Sequence, residues 1–509
     1  MRDKPQTPFS YRMLSEAQER SLVRFLQDIT ERNTPLAEQL VAHYLANYPE
    51  SVELRLAEIR LRFARHDFEG YRDLLLALKA DPVASSALSQ INFQLGLAYM
   101  RLGDDETALD VFRHSNRGRG GCESAHIVGC CLHRLGELEP AIQAFRESLA
   151  TAPANTSVRV WSTVGLMLAL RDIGREGHAE EVAAELHGAI AARPRFASSS
   201  IVYRGNQFDF HEWRQFRDKD LLHDAIAEFK AAKGPAAFGF EPETYVMPRD
   251  RQDLRRAASA PGAAPFWLAK PRNLSGAQGI AISSEPSEID GVDDYIVQRY
   301  IENPLLVEGR KFHMRLYMFI GSVEPLRAYL WQDGLVKFAP VPYVLSSETV
   351  ADSSRHLTNT ERNREHPDTY VPDAGAPEDS GAVWSVRALL DRLRDQGRDV
   401  GRIRQLWQEM ARGCPDVVAH SGLFAHQAAA APSRAFGPKV LGLDVIMDDD
   451  LMPWLIEMQR APGMASDVPM TETINSRLFR ACAELTLRDT FGGPAEVDAT
   501  PWIDAFDRL

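Results

Sequence analysis

Before about residue 195, apolar and small residues return at a fixed interval. Gly96, Tyr99, Gly103, Ala108 and Phe112 recur as Gly129, Leu132, Gly136, Ala141 and Phe145, each 33 positions later. A looser third copy carries Gly165, Gly174 and Ala179, and Pro49 and Pro82 are also 33 apart with helical apolar spacing between them. Small residues at fixed places let paired helices pack closely, so the pattern predicts stacked helical hairpins. Pro194 and the segment Arg195 to Ser200 mark the expected end of this region. The expected division is therefore residues 1–194 and 195–509.

Beyond that point the period changes. Asp218 to Phe229 reads as an amphipathic helix with Leu221, Leu222, Ile226 and Phe229 on one side. Phe266 to Lys270 predicts a strand that delivers Lys270 to its end, followed by a loop with glycines at Gly276 and Gly279 that can turn backbone N–H groups toward an anion. Ile296 to Ile301 and Arg310 to Ile320 predict two more strands. Alternation in the second puts Lys311, His313, Arg315 and Tyr317 on one face and Phe312, Met314, Leu316 and Met318 on the other. The competing reading of that strand is a solvated edge guarded by charge.

Val440 to Met447 and Trp454 to Gln459 predict a hairpin around Asp448, Asp449 and Asp450. With Met447 opposite Trp454, Asp444 falls opposite Glu457. Two opposed carboxylates in apolar strands repel and call for a cation, and a divalent ion such as Mg²⁺ held by carboxylates and nucleotide phosphates meets that need. Gln459 shares the face of Glu457 and adds a neutral oxygen. The competing reading is two separate surface acids.

Composition narrows the context. The chain is 44% apolar and 25% charged, with a net charge of −13, which disfavours a nucleic-acid partner. Its nine lysines stand against forty-nine arginines, so a lysine at a strand end is less ordinary than usual. No apolar run is long enough to span a membrane. The five cysteines lack metal-site spacing, and the opening segment lacks a secretory core, so a reduced, cytoplasmic setting is expected. His356 and His426 have no partners at metal-ligand spacing and read as structural or solvent-facing.

FWLAKP…GAQGI, IVQRYI, RKFHMR, RHLTN and VLGLDVIM…WLIEMQRAP stand in the order and spacing of the tubulin-tyrosine ligase-like family, and the chain resembles that family from about Val202 to Met464. The resemblance implies a multidomain protein: an all-α solenoid, itself similar to tetratricopeptide repeats, followed by an α+β ATP-grasp domain. It implies an ATP- and Mg²⁺-dependent ligase that joins a small amino acid to a protein or peptide carboxylate through an acyl-phosphate, the repeats holding the acceptor. Lys270 would contact phosphate beneath a closing loop with Gln278 and Gly279. Gln298, Arg299, Tyr300 and Ile301 would form the adenine hinge. Lys311 would lie against the base, His313 near the ribose, and Arg315 would face the transferred phosphate. Thr358 and Asn359 match another nucleotide-side pair, and Asp444, Glu457 and Gln459 match the magnesium ligands.

Three positions depart from the family pattern: His313 stands where Asp is usual, Gln459 where Asn is usual, and Gln332 where Arg is usual. In members that add glutamate, that arginine resembles a clamp for the incoming carboxylate. A neutral amide removes a charge-assisted pair and points to a different amine substrate. The competing functional reading is a non-catalytic nucleotide-binding scaffold whose repeats bind a partner.

Overall fold

A computed structural model describes residues 22, 26, 34–64, 67–115, 121–193, 219–262, 265–272, 277, 279–284, 293–323, 326–359, 377–420, 439–459, 469–491 and 506–508. Gln278, Gly276, His426 and the segment 195–200 lie outside the described residues. The chain divides into two compact units, Met1–Leu135 and Gly136–Leu509.

The first unit is helical. It contains α1 (Thr34–Asn47), α2 (Val52–Ala64), α3 (Phe68–Ala80), α4 (Leu88–Leu102), α5 (Asp105–Ser115) and α6 (Cys122–Arg134). The repeat logic is visible in one contact: a Cβ on Gly96 of α4 would sit 2.5 Å from the Phe112 ring of α5. Glycine is what lets that ring seat fully. Leu56, Ile59, Tyr71, Leu75, Leu78, Ile91 and Leu95 form a continuous core across α2, α3 and α4.

The second unit opens with three further helices, α7 (Leu138–Thr151), α8 (Ser157–Asp172) and α9 (Glu176–Ala192). Their core residues Val160, Val164, Met167, Leu168 and Leu186 cluster with Ala483 of a helix near the far end of the chain. That packing explains why the compact unit begins at Gly136, well before the expected boundary at Pro194. The looser third copy keeps its small residues: a Cβ on Gly165 would sit 2.5 Å from the Phe145 ring, Gly174 takes φ 80° as Gly103 and Gly136 do, and Ala179 is buried. Two 33-residue steps from Gly96 lead to Ser162, whose hydroxyl bonds Ser148 at 2.8 Å inside the core.

Two antiparallel sheets follow. The smaller has the order β1-β4-β2-β3, from β1 (Thr244–Val246), β2 (Trp267–Pro271), β3 (Ala281–Ser283) and β4 (Tyr295–Arg299). The larger comprises β5 (Leu306–Val307), β6 (Arg310–Val323), β7 (Leu326–Phe338), β8 (Val383–Ser385), β9 (Lys439–Met447), β10 (Pro453–Gln459) and β11 (Phe506–Arg508). Its path is β10-β9-β6-β7-β11, with β5 on β6 and β8 on β7.

The alternation in β6 sorts as the sequence predicts. Phe312, Met314, Leu316 and Met318 enter a core shared with α10 (Lys219–Lys233), α13 (Val386–Asp395) and α14 (Val400–His420). On the other face, Tyr317 and Phe319 pack with Ile474, Leu478 and Leu485 of α15 (Pro469–Phe491). β6 is a central, buried strand, so the solvated-edge reading is excluded. Val383–Ser385 pairs with β7 as β8 before α13 begins at a Ser385 N-cap. The remaining helices, α11 (Arg251–Ala258) and the short α12 (Ser353–His356), flank the smaller sheet and the cleft respectively.

Candidate nucleotide and metal site

The cleft holds about 120 Å³ of enclosed space, less than the roughly 300–1,000 Å³ typical of small-molecule sites. Its walls come from the ends of both sheets. Lys270, Gln298, Arg299, Tyr300 and Ile301 line it from the smaller sheet and its exit. Lys311, His313, Asp444, Glu457 and Gln459 line it from the larger sheet, and Thr358 and Asn359 from the segment after α12.

One row of charges crosses three strands. Arg315 of β6 pairs in register with Asp444 of β9, which pairs with Glu457 of β10. Arg315 grips Asp444 with two parallel bonds, from Nε to Oδ1 and from Nη2 to Oδ2, the latter at 2.8 Å. Burial raises the carboxyl of Asp444, but the guanidinium outweighs it and leaves the group at about 2. Burial opposes the charge on Arg315 too, and Asp444 again prevails, raising its pKa.

The Asp444–Glu457 opposition is as expected, but not by the expected register. Met447 pairs with Pro453, and Trp454 with Ile446. A bulge between Leu455 and Glu457 inserts Ile456 and restores the carboxylates to one another. The Ile456 carbonyl accepts a hydrogen bond from Lys270 Nζ at 3.2 Å. Gln459 Nε2 lies 3.5 Å from Asp444 Oδ2.

Three of the chain's nine lysines face this cleft: Lys219, Lys270 and Lys311. Burial pushes Lys270 down to about 8, helped by Lys219 and opposed by Glu457 and Asp444. Burial pushes Lys311 down to about 7, helped by Lys270. Clustered cations in a dry wall favour an anionic ligand, which would restore their protons. His313 is held down to about 3, chiefly by burial, so its ring is neutral at pH 7. Its Nδ1 makes a short hydrogen bond with Thr358 Oγ1.

Strand β4 is anchored from behind: Gln298 donates to Thr244 Oγ1 at 2.9 Å, which ties its side chain to β1. After β2 the loop turns through Ala277 at φ 62° and Gly279 at φ 69°. A Cβ at Gly279 would meet Pro271 Cγ at 2.8 Å, so this position needs glycine for both reasons.

Gln332 is not brought to the cleft. It is exposed on β7, within the stretch Trp331–Asp333 that bulges between the pairs Leu316–Gly334 and Met318–Leu330. Its neighbour Asp333 is buried and accepts from the backbone N–H of Gly334 and Arg387. Two cleft residues escaped the sequence reading. Lys219 starts α10, and the lysine scarcity that singles out Lys270 could equally have found it. His356, read from sequence as structural or solvent-facing, lines the cleft and is buried.

A family model described as the tubulin-tyrosine ligase family matches residues 199–491, and a tetratricopeptide repeat model matches residues 89–116. The chain belongs to the tubulin-tyrosine ligase family. It is 31% identical over 267 residues to the tubulin polyglutamylase TTLL5 of Mus musculus, covering 51% of this chain and 19% of that protein. It is 28% identical over 258 residues to a probable beta-tubulin polyglutamylase of Tetrahymena thermophila, covering 49% and 21%. A tubulin polyglutamylase of Caenorhabditis elegans is 31% identical over 280 residues, covering 51% and 37%. The chain thus spans about a fifth of the length of the first two relatives. Among the described residues no helix is long and apolar enough to cross a membrane, and no three His, Cys, Asp or Glu side chains gather as a metal site.

Proposed function

We propose that this chain is an ATP-dependent amide-forming ligase of ATP-grasp type, joining an amino acid to a carboxylate on a protein or peptide. The observation that carries the reading is the Arg315–Asp444–Glu457 row, whose two carboxylates line the same cleft between two sheets as Lys270. Family membership and the names of the polyglutamylase relatives support it.

The donor set fits magnesium. Two carboxylates and an amide offer hard oxygens on adjacent strands. Asp444 keeps a second lone pair on Oδ1 beyond its bond to Arg315, while Oδ2 accepts from both Arg315 and Gln459. When bound, the ion would neutralise phosphate charge.

The chain's own residues do the rest. Lys270 binds phosphate from its anchor on Ile456. Arg315 uses two of its N–H groups on Asp444 and presents the others to the phosphate in transit. A carboxylate oxygen attacks the terminal phosphorus of ATP and ADP leaves. The amine nitrogen then attacks the acyl carbon, the C–O bond to phosphate breaks, and the nitrogen gives up a proton to solvent. Preorganised cations placed where charge develops supply the acceleration. Gln298 to Ile301 and Lys311 receive the base; His313, neutral and tied to Thr358, offers a hydrogen bond to the ribose. The helical repeats hold the acceptor and raise its local concentration. A cytoplasmic setting suits the five free cysteines.

The test is incubation of the purified chain with ATP, Mg²⁺, a cell lysate and each labelled amino acid in turn, with mass additions mapped on the products. Glutamate is one arm, on the relatives' names, and small neutral amino acids are another. Label incorporated into protein with ADP release is the expected result. ATP bound without incorporation in any arm would favour the nucleotide-binding scaffold.

A further inference from the structure

We propose that His356 is a positioning residue for Lys311, acting through Tyr300 to aim the Lys311 ammonium into the cleft. The inference rests on the reading that Lys311 meets the nucleotide base.

The hydrogen bonds fix a direction. His356 Nε2 lies 3.1 Å from the carbonyl oxygen of Thr349. A carbonyl only accepts, so Nε2 carries the proton and Nδ1 of the neutral ring is an acceptor. The Tyr300 hydroxyl, 2.9 Å from Nδ1, therefore donates its one proton to His356. Its oxygen is left to accept from Lys311 Nζ at 2.8 Å. All three side chains are buried, at 2%, 3% and 2% exposure. The ammonium also sits 4.2 Å from the Tyr300 ring centroid, where the π face adds attraction.

Without His356, the Tyr300 proton turns to its other hydroxyl partner, Tyr343, or toward the ammonium, and the Tyr300 lone pair no longer points at Lys311. Lys311 has three donors and Tyr300 takes one, so the aim of the others shifts with that contact. Burial keeps His356 neutral by lowering its pKa, with Lys311 adding to the effect, so the ring stays an acceptor at neutral pH.

The test is ATP affinity of the full chain, measured calorimetrically for His356→Leu, His356→Asn, Tyr300→Phe, Lys311→Met and the His356→Leu/Lys311→Met double variant. A hydrogen bond to a charged group supports a loss of about tenfold for His356→Leu. Tyr300→Phe, which keeps the ring packing, is expected to lose as much. His356→Asn is expected to recover most of the affinity, because its amide oxygen can accept from Tyr300. The double variant is expected to bind no more weakly than Lys311→Met alone, since His356 acts only through Lys311. Additive losses in the double variant, or wild-type affinity in both His356→Leu and Tyr300→Phe, would overturn the proposal. Wild-type affinity in Lys311→Met would instead remove the base-side role of Lys311, and the positioning role with it.

Discussion

Lys270 donates to the carbonyl of Ile456 at 3.2 Å, and Ile456 is the residue that the β9–β10 ladder leaves out. The same bulge therefore frees an acceptor for the lysine and returns Glu457 to its place opposite Asp444. From the observed Met447–Pro453 register, an unbulged ladder would set Asp444 opposite Ile456 instead. The bulge joins the cation of the small sheet to the carboxylates of the large one.

The two carboxylates are not equivalent, and their substitutions separate. Glu457→Gln relieves repulsion with Asp444, so melting temperature should hold or rise slightly while turnover is lost. Asp444→Asn leaves the Arg315 guanidinium buried without its counter-charge, a change that costs on the order of 3 kcal/mol or more. Denaturant titration of both variants, alongside ADP release, checks the split. Unchanged ADP release in Glu457→Gln would remove it from the site. The acid limb follows from the same pair. The Asp444 pKa is depressed, so its stabilisation is present above the ordinary 3.8 and lost as pH falls toward about 2.

Nucleotide affinity should fall with rising pH. Lys311 and Lys270 titrate near 7 and 8 in the unliganded fold, below their ordinary 10.5. Between those values the unfolded chain holds more protons than the folded one, so the unliganded fold gains stability as pH rises. Phosphate binding reverses this by recruiting protons to the lysines. Calorimetry in buffers of different ionisation enthalpy should show net proton uptake on ATP binding at pH 8, and weaker binding at pH 9. Binding without proton uptake would mean the lysines do not meet the ligand.

The strands of the site were legible because β6 alternates charged and apolar residues, and only a buried strand beside a ligand has use for Lys311, His313 and Arg315 on one face. Asp444 and Glu457 were legible as a pair, yet the register assumed for them was wrong by one residue at the turn. Nothing in the sequence marks Ile456 as a bulge, and the correct opposition followed from two compensating offsets. His356 was read as structural or solvent-facing and is buried, bonded to Tyr300 and Thr349; its place at the cleft wall depends on where the segment from Thr349 docks, a tertiary fact. Gln332 was placed by resemblance, while the structure carries it outward on the β7 bulge.

Gly96 offers a test of the repeat packing that is independent of the cleft. A methyl group there would lie 2.5 Å from Phe112, whose ring is fully buried. Gly96→Ala should destabilise the helical unit by about 1–3 kcal/mol through overpacking, despite the better helix propensity of alanine. Pairing it with Phe112→Leu should recover part of the loss. Chemical denaturation of the single and double variants measures it, and equal stability of Gly96→Ala and wild type would contradict the packing.

Truncation distinguishes the two ways of dividing the chain. Val160, Val164 and Met167 of α8 share a core with Ala483 of α15, so removing everything before residue 195 exposes apolar surface on α15. Removing only residues 1–135 leaves that core intact. The shorter deletion should keep wild-type ATP affinity and melting behaviour, while the longer should melt lower and aggregate more readily. On the proposed function, both should lose modification of the protein acceptor, because residues 1–135 hold most of the repeats. If the chain starting at Gly136 modifies the acceptor at the full-length rate, acceptor recognition belongs to the second unit instead. Equal stability of the two truncations would mean that the α8–α15 core contributes little to the fold of the second unit.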